Sequence, residues 1–336
     1  MTIKDIARLS GVGVSTVSRV LNDRPDVSEE SRRRVLQVIA EYNYLPNNSA
    51  RSLVRTKSDA VGLVVRGVQN PFYTGIIRAI ERDLDAADCT MVMRQIGSCE
   101  DEIKCGAMME REKRLQGIIF LGGRSDYSPA DTALLNVPFV CCSYTNTYGT
   151  LDPTKYSSVS IADEQEAYRA VMDLAQKGHR RIAALSTDPR DWSIAQLRCS
   201  GYARALHDLG LSLEDGEIIR ADDFTIESAY RAVTERLKRP ADFTAIFAIS
   251  DDMAIGAMRA LRDEGRAVPQ DCSVIAIDGL ELSAYIEPPL TTLCQPMEEM
   301  GQRSAQILLG LIHGHGAHCC EVLPTRLRQG GSVQDI

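Results

Sequence analysis

The chain has 336 residues, of which 44% are apolar and 25% are charged, and its formal net charge is −8. This composition excludes wholesale disorder and fibrous classes, and the sequence has neither an 18-residue apolar run nor the apolar stretch of a signal peptide. We therefore expect a cytoplasmic protein of about two domains with room for a small third module. The ten cysteines are expected to be mostly small buried side chains rather than a disulfide framework.

The charge is divided unevenly along the chain. Residues 1–58 carry ten Lys and Arg against six Asp and Glu, a net charge of +4. The remaining residues carry 28 Lys and Arg against 40 Asp and Glu, a net charge of −12. A small basic head on a large acidic body predicts a nucleic-acid-binding module attached to another domain.

The head begins with two short helical patterns separated by a break. Residues 3–9 have helical apolar spacing, Ser10–Gly13 form the break, and Val17, Val20 and Leu21 give the second helix a buried stripe. A glycine-containing turn with a polar outer face on the second helix predicts a helix-turn-helix, although an ordinary three-helix bundle shares this pattern. The predicted outer face carries Ser15, Ser18, Arg19 and Asn22.

Two further segments complete the head. Ser28 followed by Glu29 and Glu30 predicts the start of a third helix. Residues 47–54 can form one short helix before the basic linker 55–58. Eight residues are too few for a helix that is stable alone in water, so we expect this segment to order on meeting a partner.

From residue 60 short apolar runs alternate with helical stretches. Two successions of this alternation predict two doubly wound α/β lobes, each a parallel sheet covered by helices, and place the ligand site in the cleft between them. The predicted strands are 60–65, 90–94, 117–121, 137–142, 157–161, 181–185, 217–220, 245–249 and 273–277. The predicted helices are 72–88, 101–114, 163–177, 194–209, 225–238 and 252–264.

Aromatic and charged side chains follow several of the predicted strand ends. A sugar ring stacks on an aromatic side chain, while its hydroxyls bond to carboxylate and guanidinium groups. An Asp at a helix start is often only a cap, and aromatic residues are usually core, so each residue alone supports either interpretation. The candidates are Phe72, Tyr73, Tyr144, Trp192, Arg198, Phe224, Ser250 and Asp278.

Motifs for enzyme chemistry are missing from the sequence. Gly11-x-Gly13 follows a helix rather than a strand, and neither a phosphate-binding Gly-rich loop nor a nucleophile elbow occurs. Asp251 and Asp252 are adjacent on a helix and do not face one site. The run His313–Cys320 could hold zinc or nickel, but its glycines predict a solvated loop. We expect no catalytic residue, cofactor or metal.

The first 58 residues resemble the head and hinge of the lactose-repressor/galactose-repressor (LacI/GalR) family of transcription regulators. The matching motifs are Thr2–Ala7, Val14–Asn22, Val27-Ser28, Tyr44-x-Pro46-Asn47 and Ala50–Leu53. The resemblance implies that Val14, Ser15 and Arg19 read bases in the major groove and that Leu53 wedges between base pairs in the minor groove. Gly13 departs from the family's usual Ser. The motif positions Thr16, Ser18, Asn22, Asn47, Ala50 and Arg51 complete the expected DNA-binding set.

The body resembles the effector-binding domain of the same family. The matching motifs are Asn70–Tyr73, Lys177–Ala183, Arg198-x2-Gly201-Tyr202, Asp251–Ala257 and Pro289-Leu290-Thr291-Thr292-Leu293-x-Gln295-Pro296. The resemblance implies a type I periplasmic-binding-protein fold with three crossovers, and it puts Arg198 and Asp278 at sugar-hydroxyl contacts. It also puts Ile161, Phe224, Ser250 and Gln295 in the cleft. Ser250 departs from the common Asn, and Ile277-Asp278-Gly279 replaces the frequent Phe-Asp-Asp, so the ligand stays open.

These features predict a helix-turn-helix domain at 1–46, a hinge at 47–58 and an effector-binding and dimerisation domain at 59–336. The first lobe is expected at about 59–157 and 292–319, including helix 297–312, and the second at about 158–290 and 320–336. We expect a repressor of carbohydrate-use genes that a sugar releases from a pseudo-palindromic operator. The missing leucine heptads beyond the body favour a homodimer over a tetramer.

Three alternatives remain at this point. In the first, a sugar, sugar phosphate or nucleobase acts as a co-repressor that tightens DNA binding. A solute-binding protein feeding a transporter shares the body but lacks a DNA-binding head. A cytosolic sugar-modifying enzyme with a regulatory head is the third.

Overall fold

The computed structural model describes residues 1–21, 24–42, 59–67, 70–187, 192–212 and 217–336. The chain divides into two compact units, Met1–Ser58 and Asp59–Ile336. The predicted hinge helix lies outside the described residues. So do five of the predicted DNA contacts, namely Asn22, Asn47, Ala50, Arg51 and Leu53.

The head contains three helices, α1 (Ile3–Ser10), α2 (Val14–Leu21) and α3 (Glu29–Glu41). A reciprocal capping box between Thr2 and Asp5 starts α1, and Gly11, with φ of 66°, ends it. Ser28 caps α3, as predicted. The three helices pack around Ile6, Ala7, Val17, Val20, Val35 and Val38.

The first lobe is built on an all-parallel sheet of order β11-β5-β4-β3-β1-β2. Its strands are β1 (Ala60–Arg66), β2 (Thr90–Ile96), β3 (Gly117–Leu121), β4 (Phe139–Cys142), β5 (Ser157–Ser160) and β11 (Cys320–Val322). Its helices are α4 (Phe72–Ala86), α5 (Glu102–Lys113), α6 (Pro129–Thr132) and α11 (Met297–Ile312). Met300, Ile307 and Leu308 of α11 belong to the same apolar core as the buried face of β1, so this late helix lies with the first lobe.

The second lobe has a sheet of order β12-β10-β9-β8-β6-β7, in which only β12 is antiparallel to its neighbour. Its strands are β6 (Ile182–Thr187), β7 (Glu217–Ala221), β8 (Ala245–Ala248), β9 (Ser273–Asp278), β10 (Thr291–Cys294) and β12 (Arg326–Arg328). Its helices are α7 (Asp163–Gln176), α8 (Ile194–Asp208), α9 (Ile226–Leu237) and α10 (Asp251–Asp263). One short 3-10 helix, Leu282–Ala284, follows β9.

The chain crosses between the lobes after β5, after β10 and after β11. The expected crossing points, near 157, 291 and 319, lie within a few residues of these strand ends. The hydrogen-bonded partners decide these boundaries: β5 pairs with β4, β10 pairs with β9, and β11 pairs with β5. In the part of the chain that the structure describes, no helix is long and apolar enough to span a membrane.

Candidate functional site

The head presents an exposed polar face on α2. Val17 and Val20 are buried in the helix bundle, whereas Val14, Ser15 and Arg19 are exposed. Of the predicted outer face, Ser15 and Arg19 are exposed and Ser18 is half-buried, and the further predicted contact Thr16 is half-buried as well.

Arg19 already has an acidic neighbour within the head. Its Nη1 lies 3.4 Å from Oδ2 of Asp26, and both side chains are more than half exposed. An exposed ion pair of this kind contributes at most about 1 kcal/mol, so Arg19 can exchange Asp26 for another partner at low cost.

A cavity of about 450 Å³ opens between the two lobes at the carboxyl ends of their strands. This is where parallel α/β sheets bind ligands. The first lobe contributes Arg66, Gly67, Asn70, Tyr73, Gly97, Ser98, Gly122, Gly123, Ser143 and Tyr144 to the lining. The second lobe contributes Thr187, Ser193, Ile194, Asp223, Phe224 and Thr225.

Three of the predicted effector contacts, Tyr73, Tyr144 and Phe224, line this cavity. Phe72 and Ile161 do not, because both are buried in the apolar cores of their lobes. The ring centroid of Phe72 lies 5.6 Å from that of Tyr73, so Phe72 supports the aromatic wall from behind.

Arg198 is the centre of a buried polar cluster in the second lobe. Its Nε and Nη2 each lie 2.8 Å from Oδ1 of Asp163, and its Nη1 donates to the carbonyl oxygen of Ile249. The same Nη1 lies 3.5 Å from Oδ1 of Asp278, which also accepts a 2.8 Å bond from Nε2 of Gln295. The structure thus brings three predicted contacts together, but they bond to one another and are outside the cavity lining.

Burial dominates the electrostatics of this cluster. Removal from water raises the pKa of Asp278 to about 7, although the guanidinium of Arg198 opposes the shift. Burial raises the pKa of Asp163 as well, and Arg198 again opposes it. The raised pKa brings the neutral form of Asp278, which can donate a hydrogen bond as well as accept one, closer in free energy than for an exposed carboxyl.

Ser250 and Asp251 have structural partners at the start of α10. Ser250 Oγ accepts from the backbone N–H of Met253 at 3.3 Å and so caps the helix. The buried Asp251 carboxylate accepts from the N–H of Leu280 at 2.8 Å and from the hydroxyl of Ser283 at 2.6 Å. Asp251 therefore fixes the loop that follows β9, which the sequence reasoning did not foresee.

A second arginine–carboxylate pair was also missed by the sequence reasoning. Arg66 ends β1 and lines the cavity, and its Nε lies 3.6 Å from Oε2 of Glu102 at the start of α5. The Glu102 side chain is fully buried, and its Oε1 accepts a 2.7 Å bond from the N–H of Arg124. A basic residue directly after the apolar run 60–65 was the available sequence signal for this pair.

Trp192, a predicted sugar-stacking residue, instead joins the two lobes. Its ring lies 4.9 Å from the ring of Tyr148, and its carbonyl oxygen accepts a 2.7 Å bond from the N–H of Ser125. Tyr148 and Ser125 belong to first-lobe loops, whereas Trp192 precedes α8 in the second lobe. We call these contacts the Trp192 latch.

The His313–Cys320 run begins directly after α11 and ends at Cys320, the first residue of β11. His318 Nδ1 is 3.1 Å from Oγ of Ser157. Within the described ranges, no three His, Cys, Asp or Glu side chains are grouped so as to hold a metal ion.

The head is a helix-turn-helix with an exposed recognition helix, and the body has two α/β lobes around a cleft. This combination defines a DNA-binding protein that also binds a ligand. The family model "Bacterial regulatory proteins, lacI family" matches residues 2–47, and the model "Periplasmic binding protein-like domain" matches residues 171–333. The HTH-type transcriptional regulator MalR of Clostridium butyricum is 38% identical over 338 residues, covering 100% of both chains. The chain belongs to the LacI family, and it is a transcriptional regulator rather than an enzyme.

Solved structures of the family match the whole fold. A lac repressor dimer bound to operator and the anti-inducer ONPF has a TM-score of 0.83 and 27% identity, and the match covers 99% of both chains. A complex of the transcriptional regulator CelR with cellobiose has a TM-score of 0.72 and 30% identity, with the same coverage.

Proposed function

We propose that this regulator is a homodimeric repressor that binds a pseudo-palindromic operator and is released from it by a sugar held between the lobes. The observation that carries this proposal is the cavity between the lobes, whose lining combines three aromatic side chains with hydrogen-bonding groups. A sugar needs both kinds of surface. The cellobiose complex of CelR supports a sugar as the class of ligand.

In this proposal residues 1–46 bind DNA, 47–58 form the hinge, and 59–336 bind the effector and dimerise. The base edges are contacted from α2 by Val14, Ser15 and Arg19. The sugar-phosphate backbone of the DNA is contacted by Thr16 and Ser18. Operator binding puts the protein in the cytoplasm with the chromosome.

The proposed effector contacts combine the cavity wall with the buried cluster. Tyr73, Tyr144 and Phe224 provide apolar faces for the sugar ring. Arg198 and Asp278 exchange their mutual bonds for bonds to sugar hydroxyls when the lobes close. Because a ligand shifts a conformational equilibrium only through its differential affinity for the two states, these new bonds supply the energy for closure.

The dimer is supported by exposed apolar side chains and by a relative. Leu282 and Tyr285, in and directly after the 3-10 helix, are 55% and 79% exposed. The matching lac repressor structure is a dimer. Sedimentation equilibrium of the full chain at micromolar concentration is expected to give a dimer, and a stable tetramer would contradict this part of the proposal.

The test of the proposal is a titration of operator DNA with and without sugars. A binding site selected from random duplexes is labelled, and its affinity for the full chain is measured by fluorescence anisotropy. We expect a two-fold symmetric consensus and at least one sugar in a panel of mono- and disaccharides that weakens binding. Tighter DNA binding with the sugar would favour the co-repressor alternative, and unaltered affinity with every bound sugar would contradict the allosteric part.

A further inference from the structure

Arg66 is the only arginine among the described residues that line the cavity. It ends β1, so its side chain leaves the carboxyl edge of the first-lobe sheet, where only 9% of that side chain stays exposed. Its Nη2 donates to the carbonyl oxygen of Ser98, and its Nε faces the carboxylate of Glu102 at 3.6 Å. The guanidinium is therefore held from two sides while it forms part of the cavity wall.

Glu102 is fixed behind this wall. Its Oε1 accepts the 2.7 Å bond from the Arg124 N–H, and its helix, α5, begins at this residue. A Cβ at Gly123 would lie 2.5 Å from Oε1 of Glu102 and 2.3 Å from the ring of Tyr144. Any larger residue at position 123 would collide with both side chains, so glycine is needed for Glu102 and Tyr144 to pack at this point of the cavity wall.

Tyr144 adds a polar atom to the same wall. The residue lines the cavity and is 1% exposed, and its hydroxyl has no hydrogen-bond partner among the residues that the structure describes. A buried hydroxyl without a partner is costly, and a sugar hydroxyl can supply the bond that it lacks.

The charges around the cavity favour an uncharged ligand. Arg66 is balanced by Glu102, and the second lobe adds the carboxylate of Asp223 to the lining. The nearby Arg124 and Asp126 form a 2.8 Å pair that is neutral by itself. A phosphate group in the cavity would meet the carboxylate of Asp223 beside a guanidinium whose charge Glu102 already balances from behind, whereas a neutral hydroxyl can bond to both Arg66 and Asp223.

We propose that Glu102 is a positioning residue that holds Arg66 in the cavity wall and balances its charge, so that the cleft selects uncharged sugars over their phosphorylated forms. In this arrangement Arg66 and Tyr144 bond to sugar hydroxyls from the first lobe, and Asp223 bonds to them from the second. The inference rests on the proposed function, because it assigns the sugar class to the same cleft.

The test compares each neutral sugar with its phosphate. Glucose, maltose and cellobiose, each beside its 6-phosphate, are screened by thermal shift on the full chain, and the affinities of every pair that binds are measured by calorimetry. We expect the wild type to prefer the neutral sugar. Glu102→Gln leaves the charge of Arg66 unbalanced, so it should move the affinity ratio toward the phosphate by about tenfold.

The matched control is Glu110→Gln. Glu110 is also buried on α5, but its carboxylate accepts from the backbone N–H and the Nδ2 of Asn136 and takes no part in the cavity. This variant should keep the wild-type ratio of sugar to phosphate affinity. It also reports whether any buried Glu→Gln change on this helix disturbs binding.

Asp223→Asn provides a second variant that does not depend on a buried group. Asp223 is exposed, and an amide oxygen can still accept the bonds from the N–H and hydroxyl of Thr225. This change should also move the ratio toward the phosphate, even if Glu102→Gln does not fold.

Four results would overturn the inference. If a sugar binds but its phosphate binds the wild type equally well, or if folded Glu102→Gln leaves the ratio unaltered, or if Asp223→Asn leaves it unaltered, the selectivity mechanism is wrong while the sugar-responsive function stands. If no sugar of the panel and no phosphate binds, the inference fails together with the proposed effector class.

Discussion

Arg19 in the head and Arg198 in the body show two ways of holding a guanidinium group. The side chain of Arg19 is 58% exposed and has one loose acidic neighbour, whereas that of Arg198 is 2% exposed and is held by two carboxylates and a carbonyl. In the head, a substitution on the exposed face of α2 can alter DNA binding without altering stability, because that face is outside the apolar core. In the body the polar groups proposed to bind the effector are also part of the core, so function and stability change together.

The largest effect is expected for Arg198→Ala. Because Asp163 and Asp278 would stay buried without their shared cation, the free energy of unfolding of the body should fall by about 3–5 kcal/mol. Denaturant unfolding measures this change. Arg204→Ala on the same helix is the control, since its pair with Glu164 is about 40% exposed on both sides and should cost less than about 1 kcal/mol. Equal losses in the two variants would remove the distinction between buried and exposed cations.

Arg19→Ala should show the opposite behaviour. Loss of a base-edge contact is expected to weaken operator binding by about 1–3 kcal/mol and to relax the preference at one base pair. The stability of the head should change by less than about 0.5 kcal/mol, because the side chain is exposed. Anisotropy titrations against a set of single-base operator variants measure both the loss and the preference.

The control for this prediction removes the same charge from another helix. Arg8 of α1 is 77% exposed, and Arg8→Ala should leave the base preference unaltered. If Arg19→Ala weakens all DNA sequences equally, Arg19 is a phosphate contact and not a base contact.

The Trp192 latch is intermediate between the exposed Arg19 and the buried Arg198, because Trp192 is half exposed and joins the two lobes. Tyr148→Ala should remove about 0.5–1.5 kcal/mol of contact between the lobes and shift their equilibrium. The emission of Trp192 should then move toward that of a solvent-exposed indole. Tyr148→Phe keeps the ring and should keep the wild-type spectrum, and identical spectra in all three proteins would show that the rings do not hold the lobes together.

His179 gives the smallest effect, and it depends on pH. The side chain is buried, with Nδ1 2.9 Å from Oγ1 of Thr244 and Nε2 3.0 Å from Oγ of Ser273. Burial lowers its pKa in the folded state, so the unfolded chain, with an ordinary value near 6.5, binds the proton more readily. The stabilisation of the folded state by neutral His179 is therefore fully present above about pH 6.5, and it is lost as the pH falls toward the folded-state pKa.

Denaturant unfolding at pH 7.5 and at pH 5.5 tests this sign. The wild type should lose more stability between the two values than His179→Gln, whose amide does not titrate in that range. A larger loss in the variant would mean that the folded protein favours the protonated imidazole.

The sequence predicted the main elements well because their signals are local. Apolar runs marked the strands β1 to β9, and helical spacing marked the head, in which Val17 and Val20 are buried and Ser15 and Arg19 are exposed as predicted. The strands β10, β11 and β12 have only three or four residues and no periodicity of their own. Their sheet partners come from elsewhere in the chain, so the sequence locates the crossing points only approximately.

The site was predictable in its chemistry but less so in its geometry. Tyr73, Tyr144 and Phe224 line the cavity, whereas Trp192 and Arg198 have protein partners that a strand-end pattern does not contain. Arg66 and Glu102 are 36 positions apart in the sequence and meet only because β1 and the start of α5 lie at one edge of the first-lobe sheet. Tertiary packing creates that pair, and neither residue alone indicates it.

The emission of Trp192 offers the most direct test of the central claim, which is that a sugar in the cleft changes the contact between the lobes and so releases DNA. Trp192 is the only tryptophan of the chain and lies at that contact. We predict that the sugar which weakens operator binding also shifts Trp192 emission, with the same half-saturating concentration in both titrations, and that Asp278→Ala weakens both responses together. Operator release without any change in Trp192 emission, or two clearly different half-saturating concentrations, would contradict this account.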